Sequence, residues 1–477
     1  MPAAAVGTTW SLVTPDRAAV LAALARGECD GLLPAASEFL DGFAAFVSDI
    51  GILPLLDRFP DHRDRRSIVP AFFCNTLIHK ALLRIDSLAQ VGPVLFHSPD
   101  VLRRLGFNFR QINEGFYATD GQRPFDVEAL ADYFAEIETD ELFAHQLKLS
   151  RHLVKHCPEL VEDGVAVLDA NTFTVPPGHR KRPGSQYKVC TLGMRSSGRL
   201  YPLLWHFTRR GKGEHNDLTQ GKLLLSKALK RWPKGTIKHL LMDRGFIDGA
   251  WVSELKEQGV DTIIGLKEDM HLYKDMVGLT QLDDAQWRPA PPAKLHPKPL
   301  PQRSICRLTD LNTWDACTVP LQGIVIRDVD PDGKVRLQCI VTTDLTLTAA
   351  QIHGSCRDRW AIEESFMALT RYWNIDGFGA CRPNVAAAQY HFTLLAYMLL
   401  HLYIRRAQEA RRGGMPDKLL LDGREIVAYW RDRYAILLLS ELVAIIMDHY
   451  DAWAANRETL MAALKACEGP PRHTNPQ

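Results

Sequence analysis

The sequence predicts an α/β protein in which a mixed sheet is covered by helices and flanked by helical regions. Two observations support this prediction. Apolar residues recur with helical spacing over residues 1–160 and again over 385–465, whereas residues 164–266 alternate short apolar runs with helical segments. A chain of 477 residues also has enough material for more than one domain.

Three strands open the middle of the chain, and helices and strands alternate after them. The three strand segments are GVAVLDA, QYKVCTLGM and RLYPLLWHF. The segments that follow are a helix from Asp217, the strand IKHLLMD, a helix from Asp248 and the strand DTIIGL. Asp217 and Gln220 have the spacing of a capping box, which favours a structural role for Asp217.

Residues 267–345 interrupt this alternation with a β-rich segment. RPAPPAKLHPKPLPQ is a proline-rich extended loop. LQGIVIRDVDPDGKVRLQCIVTTD has the pattern of a hairpin with DPDG as its turn. We therefore expect a β-rich insertion within the sheet domain, followed by further helices.

Composition excludes several classes of protein. Hydrophobic residues make up 46% of the chain and charged residues 24%, as in a globular protein in water. The first twenty residues lack the basic and apolar regions of a secretory signal, and the ten cysteines include no CxxC pair. The longest apolar run, FTLLAYMLLHLYI, is too short to cross a bilayer. We therefore expect a buried helix there, no membrane association and a cytoplasmic protein.

Positive charge is concentrated in one part of the chain. The net charge is only +1, but residues 179–238 include fifteen lysines and arginines and only two acidic residues. An excess of this size suggests a polyanionic partner, with nucleic acid the leading candidate. The loop GHRKRPGSQYK is suited to contact a nucleic-acid backbone. Its basic side chains are Arg180, Lys181, Arg182 and Lys188.

Two adjacent glutamates stand in an apolar helical segment, RDRWAIEESFMALTRYW. The stripe that should face a core consists of Ile362, Phe366, Leu369 and Trp373. Glu363 borders this stripe, whereas Glu364 points away from it, where a solvated ion pair is expected. Glu363 is either paired with Arg359 one turn earlier or gathered with other carboxylates around a cation.

Two apolar strands end in aspartate, in the segments VAVLDANTF and HLLMDRGF. Each aspartate alone is more simply explained by the turn that follows it. Ligands of open α/β sheets, however, bind outside the carboxyl ends of strands. Asp169 and Asp243, taken together with Glu363 and the basic region, therefore favour a functional site at that edge.

These segments resemble the DDE transposases of bacterial insertion sequences, in the branch with a β-strand insertion between the second Asp and the Glu. In that family the catalytic domain is RNase H-like, with the two Asp residues on the first and fourth strands and the Glu on a later helix. RWAIEESF matches the helix motif, with Arg359 and Glu363 at its Arg and Glu positions, and LDANTF and MDRGF match the strand motifs. The resemblance covers about residues 165–400.

The resemblance implies metal-dependent phosphoryl transfer on DNA. Asp169, Asp243 and Glu363 would be the catalytic residues and the ligands of two Mg²⁺ ions, for which Mn²⁺ can substitute. Asp169 would bridge the ions, and the other two carboxylates would each hold one. Carboxylate oxygens suit Mg²⁺, and two ions about 4 Å apart activate the attacking oxygen and stabilise the leaving one.

The resemblance also implies partners and a division of the chain. The partners would be double-stranded DNA, at terminal inverted repeats and at the target, and a second copy of the chain on DNA, in a bacterial cytoplasm at the nucleoid. Arg244 and Arg359 would join the basic loop in contacting DNA, although Arg359 could instead pair with Glu363. The expected regions are a helical DNA-end-binding region (1–160), the first part of the catalytic core (161–266), the β-rich insertion (267–345), the core helix carrying the Glu (346–400) and a helical C-terminal region (401–477).

Two positions depart from the family's helix signature. Cys356 stands where the signature has Tyr, and Thr370 stands where it has Lys. A divergent active branch and an inactive copy are both compatible with these changes. The alternatives to an active transposase are therefore a transposase-derived DNA-binding protein without catalysis, and another RNase H-like metal-dependent nuclease.

Overall fold

The computed structural model describes residues 11–34, 38–64, 68–115, 124–175, 185–209, 216–290, 302–373, 375, 382–412 and 425–455. The side chains of residues 356–364 are outside this description. The chain divides into two compact units. The first, the terminal unit, combines Met1–Glu138 with Trp373–Gln477, and the second, the middle unit, is Thr139–Tyr372.

The terminal unit is built from short helices and a small sheet. Its helices are α1 Arg17–Leu24, α2 Glu38–Asp49, α3 Leu53–Asp57, α4 Pro70–Leu82, α5 Val91–Leu95, α6 Pro99–Leu105, α7 Phe109–Glu114, α8 Val127–Ala135, α14 Pro383–Arg412, α15 Leu439–Asp448 and α16 Tyr450–Ala455. Its strands are β1 Thr14–Pro15, β2 Gly31–Pro34, β12 Glu425–Trp430 and β13 Arg433–Leu438. The expected N-cap of α6 is confirmed, because the Ser98 hydroxyl accepts the Val101 N–H.

Strands β12 and β13 correct the prediction that residues 385–465 are helical throughout. The four-stranded sheet has the order β1-β13-β12-β2, so strands from both ends of the chain pair with one another. Residues 426–429 are all buried, which gives the continuous apolar run of a doubly covered strand. The turn between β12 and β13 contains no glycine or asparagine, and Arg431 adopts a φ of 54° there.

Helix α14 is the buried helix that the long apolar run predicts. Its stretch Pro383–Arg406 is long and apolar enough to cross a membrane, and it is longer than the run FTLLAYMLLHLYI on which the prediction is based. However, 89% of its most apolar window is buried inside the protein. This burial is what the core helix of a globular unit shows, and it agrees with the expectation drawn from the run.

The middle unit contains a nine-stranded mixed sheet. Its strands are β3 Val165–Val175, β4 Ser185–Ser196, β5 Arg199–Arg209, β6 His239–Met242, β7 Asp261–Gly265, β8 Trp287–Pro289, β9 Gln302–Leu311, β10 Leu321–Val329 and β11 Val335–Thr342. Its helices are α9 Thr139–His156, α10 Asp217–Arg231, α11 Gly249–Glu257, α12 His271–Leu279 and α13 Ala349–Trp373, which ends one residue beyond the unit. The predicted alternation of strands and helices is thus confirmed.

The strand order is β5-β4-β3-β6-β7-β11-β10-β9-β8. Strands β3, β6 and β7 run parallel to one another, while β4 and β5 join β3 by antiparallel pairing. The carboxyl ends of β6 and β7 therefore lie at one edge of the sheet, together with the middle of the longer β3. This edge, which we call the carboxyl edge, is where the candidate site lies.

The β-rich segment continues the same sheet. Strand β11 pairs in antiparallel fashion with β7, and β10, β9 and β8 follow outward. The predicted hairpin is confirmed, since β10 and β11 pair across the DPDG turn, where Gly333 has a φ of 81°. The insertion therefore widens the sheet on the side away from β5.

Candidate active site

Asp169 and Asp243 lie side by side on neighbouring parallel strands. The pairing of β3 with β6 ends at Leu168 and Met242. Asp169 is the next residue of β3, and Asp243 directly follows β6. Neighbouring strands lie about 4.8 Å apart. Asp243 keeps an extended backbone, with φ −78° and ψ 161°, so the alternation of side chains continues to it and both carboxylates leave the sheet on the same face.

The two aspartates differ in their local backbone. Asp169 does not end its strand, because β3 continues to Val175, and its Oδ1 accepts the Ala170 N–H at 2.9 Å. Asp243 does leave its strand, and its carbonyl accepts the Phe246 N–H at the start of a short 3₁₀ helix. Both side chains are half-buried. A pair of oxygen donors in this position suits a hard divalent cation such as Mg²⁺.

A third aspartate, Asp217, lies at the same edge, and its role differs from the predicted one. The cap of α10 is Asn216, whose Oδ1 accepts the Thr219 N–H at 2.8 Å. The side chain of Gln220 donates instead to the Thr208 hydroxyl. The predicted capping box of Asp217 and Gln220 is therefore wrong, and Asp217 is available for other contacts.

Asp217 forms an ion pair with Lys188 of β4. The exposed fractions of the two side chains are 35% for Lys188 and 29% for Asp217, so the pair is partly covered. The other oxygen of Asp217 faces the turn after Asp243, because a Cβ placed on Gly245 would lie 3.8 Å from Oδ2. The sequence predicts Lys188 in a DNA-contacting loop, whereas it lies on β4, and it predicts Asp217 near the site but in the structural role of a helix cap.

The buried thiol of Cys190 lies close enough to the charged groups of this edge for them to change its pKa. Cys190 lies on β4 opposite Ala170 of β3. Burial raises the pKa of this thiol strongly, and the carboxylates of Asp217 and Asp169 raise it further, while Lys188 lowers it. Two carboxylates and one ammonium therefore act on one sulfur atom at the carboxyl edge.

Helix α10 packs closely against the strands that carry the aspartates. A Cβ added to Gly221 would lie 2.7 Å from a methyl carbon of Leu168 and 2.8 Å from the ring of Phe246. These two residues precede Asp169 and follow Asp243. A glycine at this helical position therefore lets α10 approach both aspartates' strands, at the cost of helix propensity.

Replacing Gly221 by Ala is expected to destabilise the middle unit by about 1–3 kcal/mol, because the added methyl group overpacks this contact. Gly278, in α12, is the matched control, since a Cβ there meets nothing within 4 Å. Gly278→Ala should leave stability unchanged or raise it by up to about 1 kcal/mol. Denaturant unfolding of both variants measures this difference, and equal effects would contradict the close packing of α10.

Arg244, one of the predicted DNA-contacting residues, directly follows Asp243 and lies within the described residues. Its side chain is exposed at the carboxyl edge. Its charge lowers the pKa of Tyr273, against the larger effect of burial, which raises it. Arg180, Lys181 and Arg182 lie outside the described residues, as do the side chains of Arg359 and Glu363.

The helix predicted to carry Glu363 is present as α13. Phe366 and Leu369 of its predicted apolar stripe are buried, and Thr370 is exposed. Trp373, the last residue of the stripe, is half-buried, so the stripe is confirmed at Phe366 and Leu369, and the position of Glu363 beside it stays a prediction. The meeting of Glu363 with Asp169 and Asp243 stays a prediction.

A second group of possible metal ligands lies at the opposite edge of the sheet. His239 begins β6, Asp261 begins β7 and Asp344 follows β11, and their candidate ligand atoms all lie within 4.8 Å of one another. His239 Nε2 lies 2.8 Å from Asp344 Oδ2, and Lys256 Nζ donates to Asp261 Oδ1 at 2.6 Å. Burial alone would raise the pKa of Asp344, but hydrogen bonds from His239 and Thr346 lower it overall.

This second group already contains its own positive charge. The ammonium of Lys256 and a hydrogen bond from Thr343 occupy Asp261 Oδ1. The ammonium next to Asp261 would repel a divalent cation at this group. We therefore interpret the group as an ion-pair network that joins β6, β7 and the start of the connection to α13.

Residues 162–399 match the protein family described as Transposase DDE domain. No curated protein matches the chain in sequence. Among solved structures, the chain is similar to the crystal structure of the NurA nuclease from Sulfolobus solfataricus, with 12% identity over 58% of this chain and 96% of that chain. The TM-score of that similarity is 0.22, which is too low to carry an argument.

Proposed function

Because the chain belongs to the DDE transposases, with its RNase H-like DDE domain in residues 162–399, we propose that it is the transposase of a bacterial insertion sequence. It cuts DNA at the ends of its mobile element and joins the 3′ ends to target DNA. The observation that most supports this activity is the position of Asp169 beside Asp243 on parallel strands of the domain. Glu363, in the sequence of α13, completes the catalytic set.

Three carboxylates would hold the metal ions, and the ions would bring the DNA phosphate to the carboxyl edge. Asp169, Asp243 and Glu363 are the residues that would bind Mg²⁺, with Mn²⁺ able to substitute, and their oxygen donors fit either ion. When bound, the ions activate the attacking water or 3′-hydroxyl and stabilise the leaving oxygen. Arg244, exposed next to Asp243, is suited to bind a phosphate near the cut.

DNA contacts outside the carboxyl edge complete the proposal. Arg180, Lys181, Arg182 and Arg359 bind the phosphate backbone together with Lys188 of β4, and residues 1–160 recognise the terminal inverted repeats. Bringing two ends together requires two copies of the chain on the DNA. The protein acts in the cytoplasm, at the nucleoid.

Cleavage of the DNA that flanks this gene tests the proposal. A fragment carrying the native flanks is incubated with the protein in Mg²⁺ or Mn²⁺, and the breaks are mapped at nucleotide resolution. We expect breaks at the tips of inverted repeats, and we expect them to vanish in Asp243→Ala. The variant should still bind the same fragment, because its positive residues are unchanged.

Two other outcomes would reject the proposal. Binding to the inverted-repeat tips without a metal-dependent cut would identify an inactive, transposase-derived DNA-binding protein. Cuts that require metal but fall at branched or damaged DNA rather than at repeat tips would identify another RNase H-like nuclease. Cys356 and Thr370, at two signature positions, are the sequence features that make the first of these outcomes a real alternative.

A further inference from the structure

The proposed DNA contact of Lys188 does not explain why Lys188 forms an ion pair with Asp217. This pair is partly covered, it lies at the carboxyl edge, and it joins the start of α10 to the long strand β4. Its acidic member is not needed to cap the helix, because Asn216 does so. The pair therefore calls for another explanation.

The pleat of the sheet separates this pair from the metal-binding face. Lys188 and Cys190 share one face of β4, whereas Asp169 and Thr191, which are paired across β3 and β4, point to the other face. Lys188 is therefore unsuited to the phosphate held by metal-bound carboxylates. It is suited to a flanking phosphate, where the DNA strand passes over the carboxyl edge towards α10.

Lys188 can bind a phosphate at one fixed place only if the position of its ammonium is restrained. Its four-carbon stem is flexible, and an ammonium without a partner samples many positions. Asp217 limits these positions through the ion pair, and its own backbone is fixed as the first residue of helix α10. A lysine restrained before DNA arrives loses less entropy when a phosphate binds.

We propose that Asp217 is a positioning residue that holds the Lys188 ammonium at the carboxyl edge, where Lys188 binds a phosphate flanking the cut. This inference rests on the proposed function, because it requires DNA to be cut at this edge. It gives Asp217 an effect opposite to that of simple electrostatics, since a carboxylate near DNA should otherwise weaken binding.

Single-turnover cleavage of the flanking-DNA fragment tests the inference. The variants are Asp217→Asn, Asp217→Glu, Lys188→Met and the double variant Asp217→Asn with Lys188→Met. The matched control is Lys256→Met, which removes a Lys–Asp pair of similar exposure, 38% and 22%, at the opposite edge of the sheet. Each protein is assayed for its cleavage rate at saturating DNA, its DNA affinity over a range of salt, and the Mg²⁺ concentration at half-maximal rate.

We expect Asp217→Asn to slow cleavage about tenfold, and Asp217→Glu to recover part of the rate. The DNA affinity of Asp217→Asn should stay close to wild type, because the lost restraint on Lys188 weakens binding while the lost negative charge strengthens it. Lys188→Met should be at least as slow, and its salt dependence should fall by about one phosphate contact. The double variant should be no slower than Lys188→Met, because Asp217 acts through the lysine. The Mg²⁺ midpoint and the control variant should match wild type.

Three results would overturn the inference while the proposed function stands. They are an Asp217→Asn variant that cuts at the wild-type rate, a double variant whose losses simply add, and a shifted Mg²⁺ midpoint, which would make Asp217 a metal ligand instead. A wild-type protein that does not cut, tested beside Asp243→Ala, would overturn the proposed function and this inference with it.

Discussion

Replacing Asp169 by Asn is expected to lower the rate of metal-dependent DNA cleavage at least about 1,000-fold. The substitution keeps the size of the side chain and its position beside Asp243, but it removes the charge that would hold a divalent cation. Binding of DNA without metal should be unchanged or tighter, because one negative charge leaves the carboxyl edge. Single-turnover cleavage and a binding titration in a chelator measure the two effects.

The control for this experiment is a strand-end aspartate of the opposite edge. Asp261→Asn disturbs the network with Lys256 and Thr343 but should keep cleavage within about threefold of wild type, since it leaves the carboxyl edge intact. The two variants together show which of the two groups of carboxylates binds the catalytic metal ions. Loss of cleavage in Asp261→Asn, with full activity in Asp169→Asn, would place the metal site at the His239 network instead.

The position of Asp169 and Asp243 at the carboxyl edge could be predicted because it depends on local signals. A short apolar run that ends in Asp indicates a strand and its carboxyl end, and parallel strands bring such ends together. The sequence does not contain the register. The pairing of Leu168 with Met242 makes Asp169 and Asp243 neighbours, and a shift by one residue would have turned one carboxylate to the other face.

Asp217 shows why the rest of the site could not be predicted. Asn and Asp are about equally good N-caps, so the adjacent residues Asn216 and Asp217 offer two starts for the same helix. The choice is made by contacts far along the chain, since Gln220 bonds Thr208 and Lys188 pairs with Asp217. Spacing within one segment contains no information about these partners.

The small sheet of the terminal unit was missed for a related reason. Strand β2 pairs with β12, so residues 31–34 meet residues near the other end of the chain. Each strand alone is a short apolar run, which periodicity cannot distinguish from part of a buried helix. These segments form strands because they pair with residues that are distant in the sequence.

Replacing Asp41 by Asn should destabilise the terminal unit by about 3–5 kcal/mol, the largest stability effect expected among the described ion pairs. Asp41 of α2 lies 2.7 Å from Arg103 and 3.3 Å from Arg104 of α6, and its exposed fraction is 1%. Its substitution leaves two buried guanidinium groups without their shared carboxylate. Denaturant unfolding, followed by a probe in the terminal unit, measures the loss.

Two further variants distinguish the cost of leaving a buried charge without compensation from the cost of losing an ion pair at the surface. Asp132→Asn removes the partner of Arg382, in a pair whose side chains are 65% and 58% exposed, and should cost less than about 1 kcal/mol. In the second, Asp41→Leu is combined with Arg103→Met and Arg104→Met, which removes all three buried charges and leaves only Asp100, a partly exposed partner of Arg103, without its ion pair. This variant should be more stable than Asp41→Asn, because an apolar replacement of a buried charge cluster leaves nothing to desolvate. If Asp41→Asn lowers the free energy of unfolding no more than Asp132→Asn does, the prediction is wrong. Water would then reach Arg103 and Arg104 and stabilise their charges without Asp41.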